Sequence, residues 1–468
     1  SEVIAGSGGL TKTGDGLLNL TATNTFFGTL RISSGVARLN RGSLYALGAG
    51  GTGNETIVDN GATLDFNGAY TNAFATSENL IISGSGVDGL GVLVNTGAGF
   101  MNGGFGTLTL VGNSTIGCMN RIDLRNTVTG NGYTLTKGGV SELAVGVAVT
   151  NCAVVINAGR YTYMNALALG TSDFDTTLNG GDLRSYGTYV VTERLIGNRG
   201  ALISAGPANT LFTIAGRVTL NSNIVATAEN GTSLELSGLL EGAGGITRSN
   251  ASGSGNVYVT GNTNTYTGPT WVSSGVMWVG RTNVYSGVLG FGTVTNSGTL
   301  YGYSPLLCQG NLVNLSTLYC TTGSLVSGAS SIYNGSTLYW TGGLLGGAGP
   351  VTNNATLYVD RGGAFVSSNG FFGTGNTVIR YGGDMAVSGS YSSNGTFRVA
   401  AGTLTLTNGA QFVAYSRFYL ADRSSGVFPV DPTNVTATLN LTDGSRLETF
   451  CLEAGNGSSV TGGGMTNT

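Results

Sequence analysis

The chain has 468 residues, of which 82 are Gly, only 9% are charged and none is His, and its formal net charge is -3. Without His, Ser-His-Asp and Cys-His catalysis and His-ligated metal sites are excluded, and the scattered Arg residues argue against a nucleic-acid partner, which needs a basic face. Apolar runs are far shorter than the roughly 18 residues of a membrane-spanning helix, so we expect no membrane-spanning segment. Abundant Gly, Thr, Asn and Val with few helix formers predicts an all-β protein with many tight turns.

In the first half of the chain, short strand-like segments recur with a loose spacing. They are residues 62–66, 106–110, 133–136 and 217–220. Residues 172–208 differ, because they hold more charged residues and include Pro207. We interpret residues 1–468 as one continuous β-solenoid, with an irregular seam or an insertion near residues 172–208.

In the second half, a Thr-Leu-Tyr unit repeats four times, at residues 299–301, 317–319, 337–339 and 356–358. Its leucines are 18, 20 and 19 residues apart. The same period extends backwards to Met277, Val257 and Leu234, and forwards to Val378, Phe397, Phe418, Leu439 and Val460. A period of about 20 residues carried by strand-length segments is typical of a β-solenoid.

Alternation within each strand predicts which side chains face the core. Leu318 and Cys320 share one face, as do Leu338 and Trp340, so these side chains should point inward. The opposite face then carries a column of aromatic residues, which are Tyr258, Trp278, Tyr301, Tyr319, Tyr339 and Tyr358. At a strand spacing of about 4.8 Å the rings would form a ladder that stabilises in-register stacking. The alternative is a contact strip for a glycan or for another copy of the protein.

Two segments share a longer pattern. Residues 6–20 read GSGGLTKTGDGLLNL and are followed by NTFFG at 24–28 and SGVARL at 34–39. Residues 242–246 read GAGGI and are followed by NTYTGPT at 264–270 and SGV at 274–276. A partial third copy, GYTLTKG, occupies residues 132–138. This pattern resembles the autotransporter-associated β-strand repeat, and Arg248 stands where that repeat has Lys.

The resemblance implies a secreted or surface-displayed right-handed parallel β-helix, and it implies no single activity. Its two fuller matches cover a small part of the chain. The other rungs are compatible with the repeat without being diagnostic of it.

Residues that could support chemistry are few. Asp173 and Asp175, with Asp182 and Arg184 nearby, could hold a cation on one strand face, but such acids are more often solvated loop residues. Glycine patterns at residues 48–53 and 84–89 fit a nucleotide-binding fingerprint only by chance, because neither opens a helix in a βαβ unit. The five cysteines are dispersed and contain no C-x-x-C pair. We therefore expect no catalytic residue, no metal and no cofactor.

Both ends of the sequence read as the same part of the repeat, with Ile4 and Leu10 at one end and Val460 and Met465 at the other. An uncapped solenoid exposes a rung of unpaired backbone groups, which predicts head-to-tail assembly between copies. The alternative is that the chain is cut from a longer polypeptide whose further rungs provide the caps.

These observations predict a single elongated right-handed parallel β-helix with about 20 residues per rung. We expect a non-enzymatic, extracellular or cell-surface structural protein, either a filament subunit or an adhesive stalk, whose partners are other copies of itself or surface glycans. The alternative is a polysaccharide-binding or polysaccharide-cleaving β-helix protein.

Overall fold

The computed structural model describes most of the chain. The described residues are 2–40, 46–68, 78–102, 105–250, 253–281, 286–321, 324–326, 330–344, 349–360, 363–367, 370–387, 390–407, 409–420, 437–442, 444–454, 458–461 and 465–467.

The chain divides into two compact units, Ser1–Leu234 and Glu235–Thr468. The structure is nearly all β, with parallel strands stacked in turns of roughly 21 residues, which confirms the predicted right-handed β-solenoid. Within the described part, the one helical element is the 3-10 turn Val87–Gly89. No helix in that part has both the length and the apolar character needed to cross a bilayer.

In the first unit the strands form three main parallel stacks. The first contains Leu10–Lys12, Leu30–Ile32, Thr56–Val58, Leu80–Gly84, the start of Leu108–Gly117, Val128–Thr129 and Val149–Thr150. The second contains Leu17–Leu20, Gly35–Leu39, Ala62–Asp65, Leu93–Val94, the end of Leu108–Gly117, Thr134–Gly138, Ala153–Ile156, Thr176–Asn179, Leu195–Arg199 and Val218–Leu220. The third contains Ile122–Leu124, Glu142–Val145, Arg160–Tyr163, Asp182–Tyr186, Ala201–Ala205 and Ile224–Ala228. Short strands at Ala5–Gly6, Thr25–Phe26, Tyr189–Val191, Leu211–Ile214 and Ser233–Leu236 complete the set.

In the second unit the strands form three main stacks. The asparagine stack contains Ile246–Arg248, Thr270–Val272, Val294–Asn296, Leu312–Asn314, Ile332–Asn334, Val351–Asn353, Phe371–Gly373 and Tyr391–Ser393. The tyrosine stack contains Asn256–Val259, Val276–Val279, Thr299–Gly302, Thr317–Cys320, Thr337–Trp340, Thr356–Val359, Asn376–Ile379 and Phe397–Val399. The long strands Gln411–Leu420 and Arg446–Ala454 continue both stacks, and Met465–Asn467 follows the asparagine stack. A third stack contains Gly343–Leu344, Gly363–Ser367, Gly383–Val387, Gly402–Leu406, Ala437–Leu441 and Ser458–Thr461, and the remaining strands are Leu240–Glu241, Leu306–Cys308 and Ser324–Val326.

A column of leucines forms the core beneath the tyrosine stack. Leu300, Leu318, Leu338 and Leu357 are direct partners on successive strands. Each is at most 1% exposed, as is Trp340. The predicted inward phase is therefore confirmed, and burial of each leucine stabilises the fold by about 1.5–3 kcal/mol.

The predicted column is wrong at Val378. Leu357 pairs with Thr377, while Val378 lies beside Tyr358 on the outer face. The column continues correctly through Phe397 to Phe418. The fully buried Thr377 takes the inward position. The prediction chose Val378 instead, because Val378 is the apolar residue next to it.

A second slip occurs at Leu439. Phe418 pairs with Leu452, whereas Leu439 pairs with Leu404 and Val460 in the third stack. Phe418 and its partner Leu452 are 34 residues apart in the sequence, well over one period, and residues 421–436 between them lie outside the described residues. A fixed step of about 20 residues therefore assigned Leu439 and Val460 to the wrong column.

Residues 172–208, the predicted seam, contain regular strands that pair in parallel with their neighbours. The register shifts once there, between Leu178 and Asn179. One continuous solenoid over residues 1–468 stays a prediction.

Buried cations explain the lysine of the repeat pattern. Lys137 is fully buried, and its Nζ donates to the carbonyl oxygens of Gly138, Gly139 and Ala158 at 2.7–2.8 Å. Lys12 donates in the same way to Thr13, Gly14 and Ser34. Each ammonium thereby donates hydrogen bonds to carbonyl oxygens from two successive rungs.

Arg248 takes the same place in the second unit. It is fully buried and donates to the carbonyls of Ser249, Gly255 and Val276. Burial lowers the pKa of its guanidinium to about 10. The Lys-to-Arg difference in the pattern therefore preserves a carbonyl-binding cation.

The asparagine of the pattern joins three successive rungs. Asn264 accepts from the backbone N–H of Leu240 at 2.9 Å and donates to the carbonyl of Val288 at 2.8 Å. Asn24 accepts from Ile4 and donates to Ala46 at 2.9 and 2.7 Å. Both side chains are at most 2% exposed, so the amide supplies hydrogen bonds that water cannot reach.

Candidate interaction surface

The parallel register aligns the aromatic column on the outer face of the tyrosine stack. Tyr258 pairs with Trp278, and Trp278 with Tyr301, which then continues to Tyr319, Tyr339 and Tyr358. The ring-centroid distances are, in that order, 6.0, 3.9, 4.8, 4.7 and 5.1 Å, with interplanar angles of 22°, 10°, 8°, 6° and 12°. We call these six residues the aromatic ladder.

Stacking occupies the ring faces of the ladder. A ring such as Tyr319 has Tyr301 against one face and Tyr339 against the other. All six side chains are half-buried, which leaves ring edges and phenol groups toward solvent. A sugar ring stacks on a free aromatic face, so the ladder does not offer the platform that carbohydrate stacking uses.

An arginine lies against the ring at each end of the ladder. The guanidinium carbon of Arg281 is 4.4 Å from the ring centroid of Tyr258, and that of Arg380 is 3.8 Å from the centroid of Tyr358. Arg281 forms an ion pair with Glu235 at 3.2 Å. Arg380 forms one with Asp360 at 2.5 Å. These cation–π contacts favour the stacked geometry at both ends.

Burial, with the neighbouring phenols Tyr319 and Tyr358 adding to it, raises the pKa of Tyr339 above its ordinary value, although Arg380 opposes the shift. The phenol of Tyr339 therefore stays neutral at physiological pH.

A second row of aromatic residues lies on the outer face of the asparagine stack. Trp271 is 49% exposed, Tyr333 37% and Phe372 42%, and Leu315 beside them is 50% exposed. Trp271, Tyr333 and Phe372 occupy equivalent positions along the register. We call these three aromatic residues, together with Leu315, the exposed row.

The exposed row was not predicted from the sequence. Its aromatic residues are separated by Thr and Val on the intervening strands, so no repeated motif marks them. One feature of the sequence could have identified them. Each aromatic residue is the second-last residue of its strand, directly before Val, Asn or Gly at the strand end.

The predicted end residues belong to different units. Ile4 is 38% exposed and its carbonyl accepts from Thr25, while the half-buried Leu10 begins a paired strand. Val460 is 40% exposed. Met465 pairs through its backbone with Leu447.

Three of the four residues considered for cation binding, Asp175, Asp182 and Arg184, have separate partners. Asp175 lies 3.5 Å from Arg194, and Arg184 lies 2.9 Å from Glu229. Asp182 accepts from the backbone N–H of Ala201 at 3.1 Å. Within the residues described above, no three His, Cys, Asp or Glu side chains converge as a metal site.

One cleft of about 470 Å³ lies in the second unit. Its described lining is Asn262, Thr263, Asn264, Thr265, Ser286, Gly287, Val288, Pro305, Leu306 and Gln309. This lining combines amides and hydroxyls with apolar side chains, and it includes no charged residue.

The comparisons with known proteins give a short match. A stretch of 89 residues, 19% of this chain, is 40% identical to part of a protein described as Adhesin BmaC autotransporter, from Brucella suis biovar 1 (strain 1330). The chain covers only 2% of that protein's length. No family model and no solved structure matches the chain.

Proposed function

We propose that the chain is an adhesive segment of a cell-surface β-solenoid protein. The observation that carries this proposal is the 40% identity over 89 residues to an autotransporter adhesin. The parallel solenoid supports it, because stacked rungs give a stiff scaffold that presents the same side-chain position at every turn.

We assign the adhesive contacts to the exposed row and a stabilising role to the aromatic ladder. Half-exposed aromatic side chains are the groups that dominate protein contacts when a partner covers them. In the ladder the ring faces are already covered by neighbouring rings.

The test is an adhesion assay on beads coated with the folded chain, using host cells and extracellular-matrix proteins. We expect the triple variant Trp271→Ser, Tyr333→Ser, Phe372→Ser to reduce adhesion about tenfold or more while the far-UV β signal persists. The matched control is Val140→Ser, Leu167→Ser, Val190→Ser, which removes three apolar side chains that are at least 51% exposed in the first unit.

Adhesion of the unsubstituted chain no stronger than that of a control protein would refute the proposed function. Equal adhesion of both triple variants would refute the assignment to the exposed row.

Binding of an uncharged glycan is a second candidate, favoured by the neutral cleft beside Asn264. A lining of amides, hydroxyls and apolar side chains without a charged group suits a neutral sugar better than an anion. A glycan array should then show neutral oligosaccharides bound, and Gln309→Ala should weaken that binding. Release of shorter sugars during the incubation would point instead to a cleaving enzyme.

A further inference from the structure

Four tyrosines of the aromatic ladder stand in one column without an intervening residue of another type. Tyr301, Tyr319, Tyr339 and Tyr358 occupy the same position on successive strands. Their centroids are 4.7–5.1 Å apart and their planes lie within 12° of parallel. All four are half-buried, so a soluble oxidant reaches their edges.

We propose that this column is a site of oxidative cross-linking, in which Tyr319 and Tyr339 couple to a dityrosine that joins two rungs. The oxidant is hydrogen peroxide, and a peroxidase catalyses the oxidation. The bond forms within one chain, and it requires no second copy of the protein.

The reaction balances as follows for each pair. Each phenol gives one electron to the peroxidase and its hydroxyl proton to water, which leaves two phenoxyl radicals. The radicals join through one ring carbon ortho to each oxygen, and the hydrogens on those carbons then shift to restore both hydroxyl groups. The two electrons and two protons reduce one hydrogen peroxide to two waters.

The fold favours this pair by position. Strand pairing holds the two rings next to each other at a centroid distance of 4.7 Å, the shortest between two tyrosines in the ladder, so coupling is intramolecular and avoids the entropy cost of an encounter. Because the side chains are half-exposed, they can tilt to bring the ortho carbons together.

The outer members of the column have other neighbours. Tyr301 stacks on Trp278 at 3.9 Å, and Arg380 covers Tyr358 at 3.8 Å. Tyr319 and Tyr339 are the two that have a tyrosine on each side.

The sequence provides a direct way to locate the bond. Hydroxylamine cleaves Asn-Gly bonds in denatured protein, and Asn334-Gly335 is the one such bond between Tyr319 and Tyr339. Cleavage releases fragments 231–334 and 335–369, which separate unless a cross-link joins them.

The experiment treats dilute folded chain with peroxidase and hydrogen peroxide, cleaves it with hydroxylamine, and measures joined fragments by mass spectrometry and dityrosine by fluorescence. We expect the joined species in the unsubstituted chain and in Tyr301→Phe, each lighter by two hydrogen atoms per bond. Tyr339→Phe keeps the stacked ring but removes the phenol, and the joined species should fall about tenfold or more.

Three outcomes would overturn the proposal. They are the absence of dityrosine under conditions that couple free N-acetyltyrosine, cross-links found only between chains, and joined fragments undiminished in Tyr339→Phe. Tyr415→Phe is the exposure control, because Tyr415 is 63% exposed and lies outside the column, and it should leave the yield unchanged.

Discussion

Leu338 tests the inward phase of a single strand. It lies between Leu318 and Leu357 and is 1% exposed. Leu338→Asp buries a carboxylate without a partner, so we expect the free energy of unfolding to fall by more than about 4 kcal/mol. Thr337→Asp, one residue away on the half-buried outer face, should cost less than about 1 kcal/mol. Urea unfolding followed by circular dichroism measures both, and equal losses would contradict this phase.

Glu78 makes the stability of the first unit depend on pH. Burial raises its pKa to about 7, the hydrogen bond from Thr56 opposes the shift, and the charge of Glu55 adds to it. Between pH 4.5, its ordinary pKa, and about pH 7, the folded chain holds a proton that the unfolded chain has released. The protonated Glu78 carboxyl therefore contributes its full share to the free energy of unfolding below pH 4.5. This contribution is lost as the pH rises from 4.5 to about 7.

We expect this loss to reach about 2–3 kcal/mol at pH 8. Glu78→Gln, which can still accept the hydrogen bond from Thr56, should remove the dependence and stabilise the unit at pH 8. Thermal unfolding between pH 4 and pH 8 measures the effect, with the exposed Asp173→Asn as control. A pH profile that is identical in Glu78→Gln and in the unsubstituted chain would show that this carboxyl does not titrate in the window.

Alternation in the sequence was sufficient to predict which side of a strand faces inward. It could not predict the partners of charged side chains, because those come from other rungs. Arg281 forms an ion pair with Glu235, 46 residues earlier in the sequence, and Arg380 forms one with Asp360, 20 residues earlier. A turn of variable length lies between such residues, so spacing alone does not place one beside the other.

A buried asparagine ladder joins the strands of the asparagine stack. Asn296, Asn314 and Asn334 each donate to the side-chain oxygen of the next asparagine at 2.8 Å, and the ladder ends at Asn353. Asn314 and Asn334 also donate to the carbonyls of Thr337 and Thr356 at 3.1 Å. The four are at most 1% exposed.

Asn334→Ala would remove one of the two acceptors of the Asn314 amide, and it would remove the amide that donates to the side-chain oxygen of Asn353 and to the carbonyl of Thr356 in the core. We expect the free energy of unfolding to fall by about 2–4 kcal/mol, since each buried unsatisfied group costs about 1–3 kcal/mol. The measurement is guanidinium unfolding.

The first unit supplies the matched control. Asn198 accepts from Asn221 at 2.7 Å and donates to Asn179 at 2.6 Å in a ladder on the surface. Water replaces those bonds, so Asn198→Ala should cost less than about 1 kcal/mol. A cost as large as that of Asn334→Ala would show that burial is not what gives the ladder its strength.

At the scale of elements, the period of the Thr-Leu-Tyr unit predicted the register through Leu357. It failed where the residue in the inward position was Thr377 and where the paired residues Phe418 and Leu452 are 34 residues apart. A period records the average length of a turn, whereas register depends on the length of each individual turn. Irregular turns are therefore invisible to counting, although the strands between them are not.

At the scale of the molecule, composition predicted the fold class because Gly, Asn and Thr build turns and β-branched residues build strands. Function was not accessible in the same way. The aromatic residues of the exposed row are Trp271, Tyr333 and Phe372, and only the parallel register brings them into line.

Head-to-tail assembly stays a prediction, and sedimentation tests it. Low net charge provides little repulsion between copies. We expect concentration-dependent growth of oligomers at neutral pH. Ile4→Asp with Leu10→Asp should shift the distribution toward monomer. A single monomeric species at high concentration for the unsubstituted chain would rule the assembly out.

Burial of the lysine side chains also determines how the folded chain reacts with amine-modifying reagents. Lys12 and Lys137 are the only lysines in the sequence, and both ammonium groups are enclosed by carbonyl oxygens, at 9% and 0% exposure. An ε-amine acts as a nucleophile only with a free lone pair and an open path of approach. Formaldehyde, reducing sugars and succinimidyl esters should therefore leave both lysine side chains unmodified for as long as the solenoid stays folded, so amine labelling of these two positions would report unfolding.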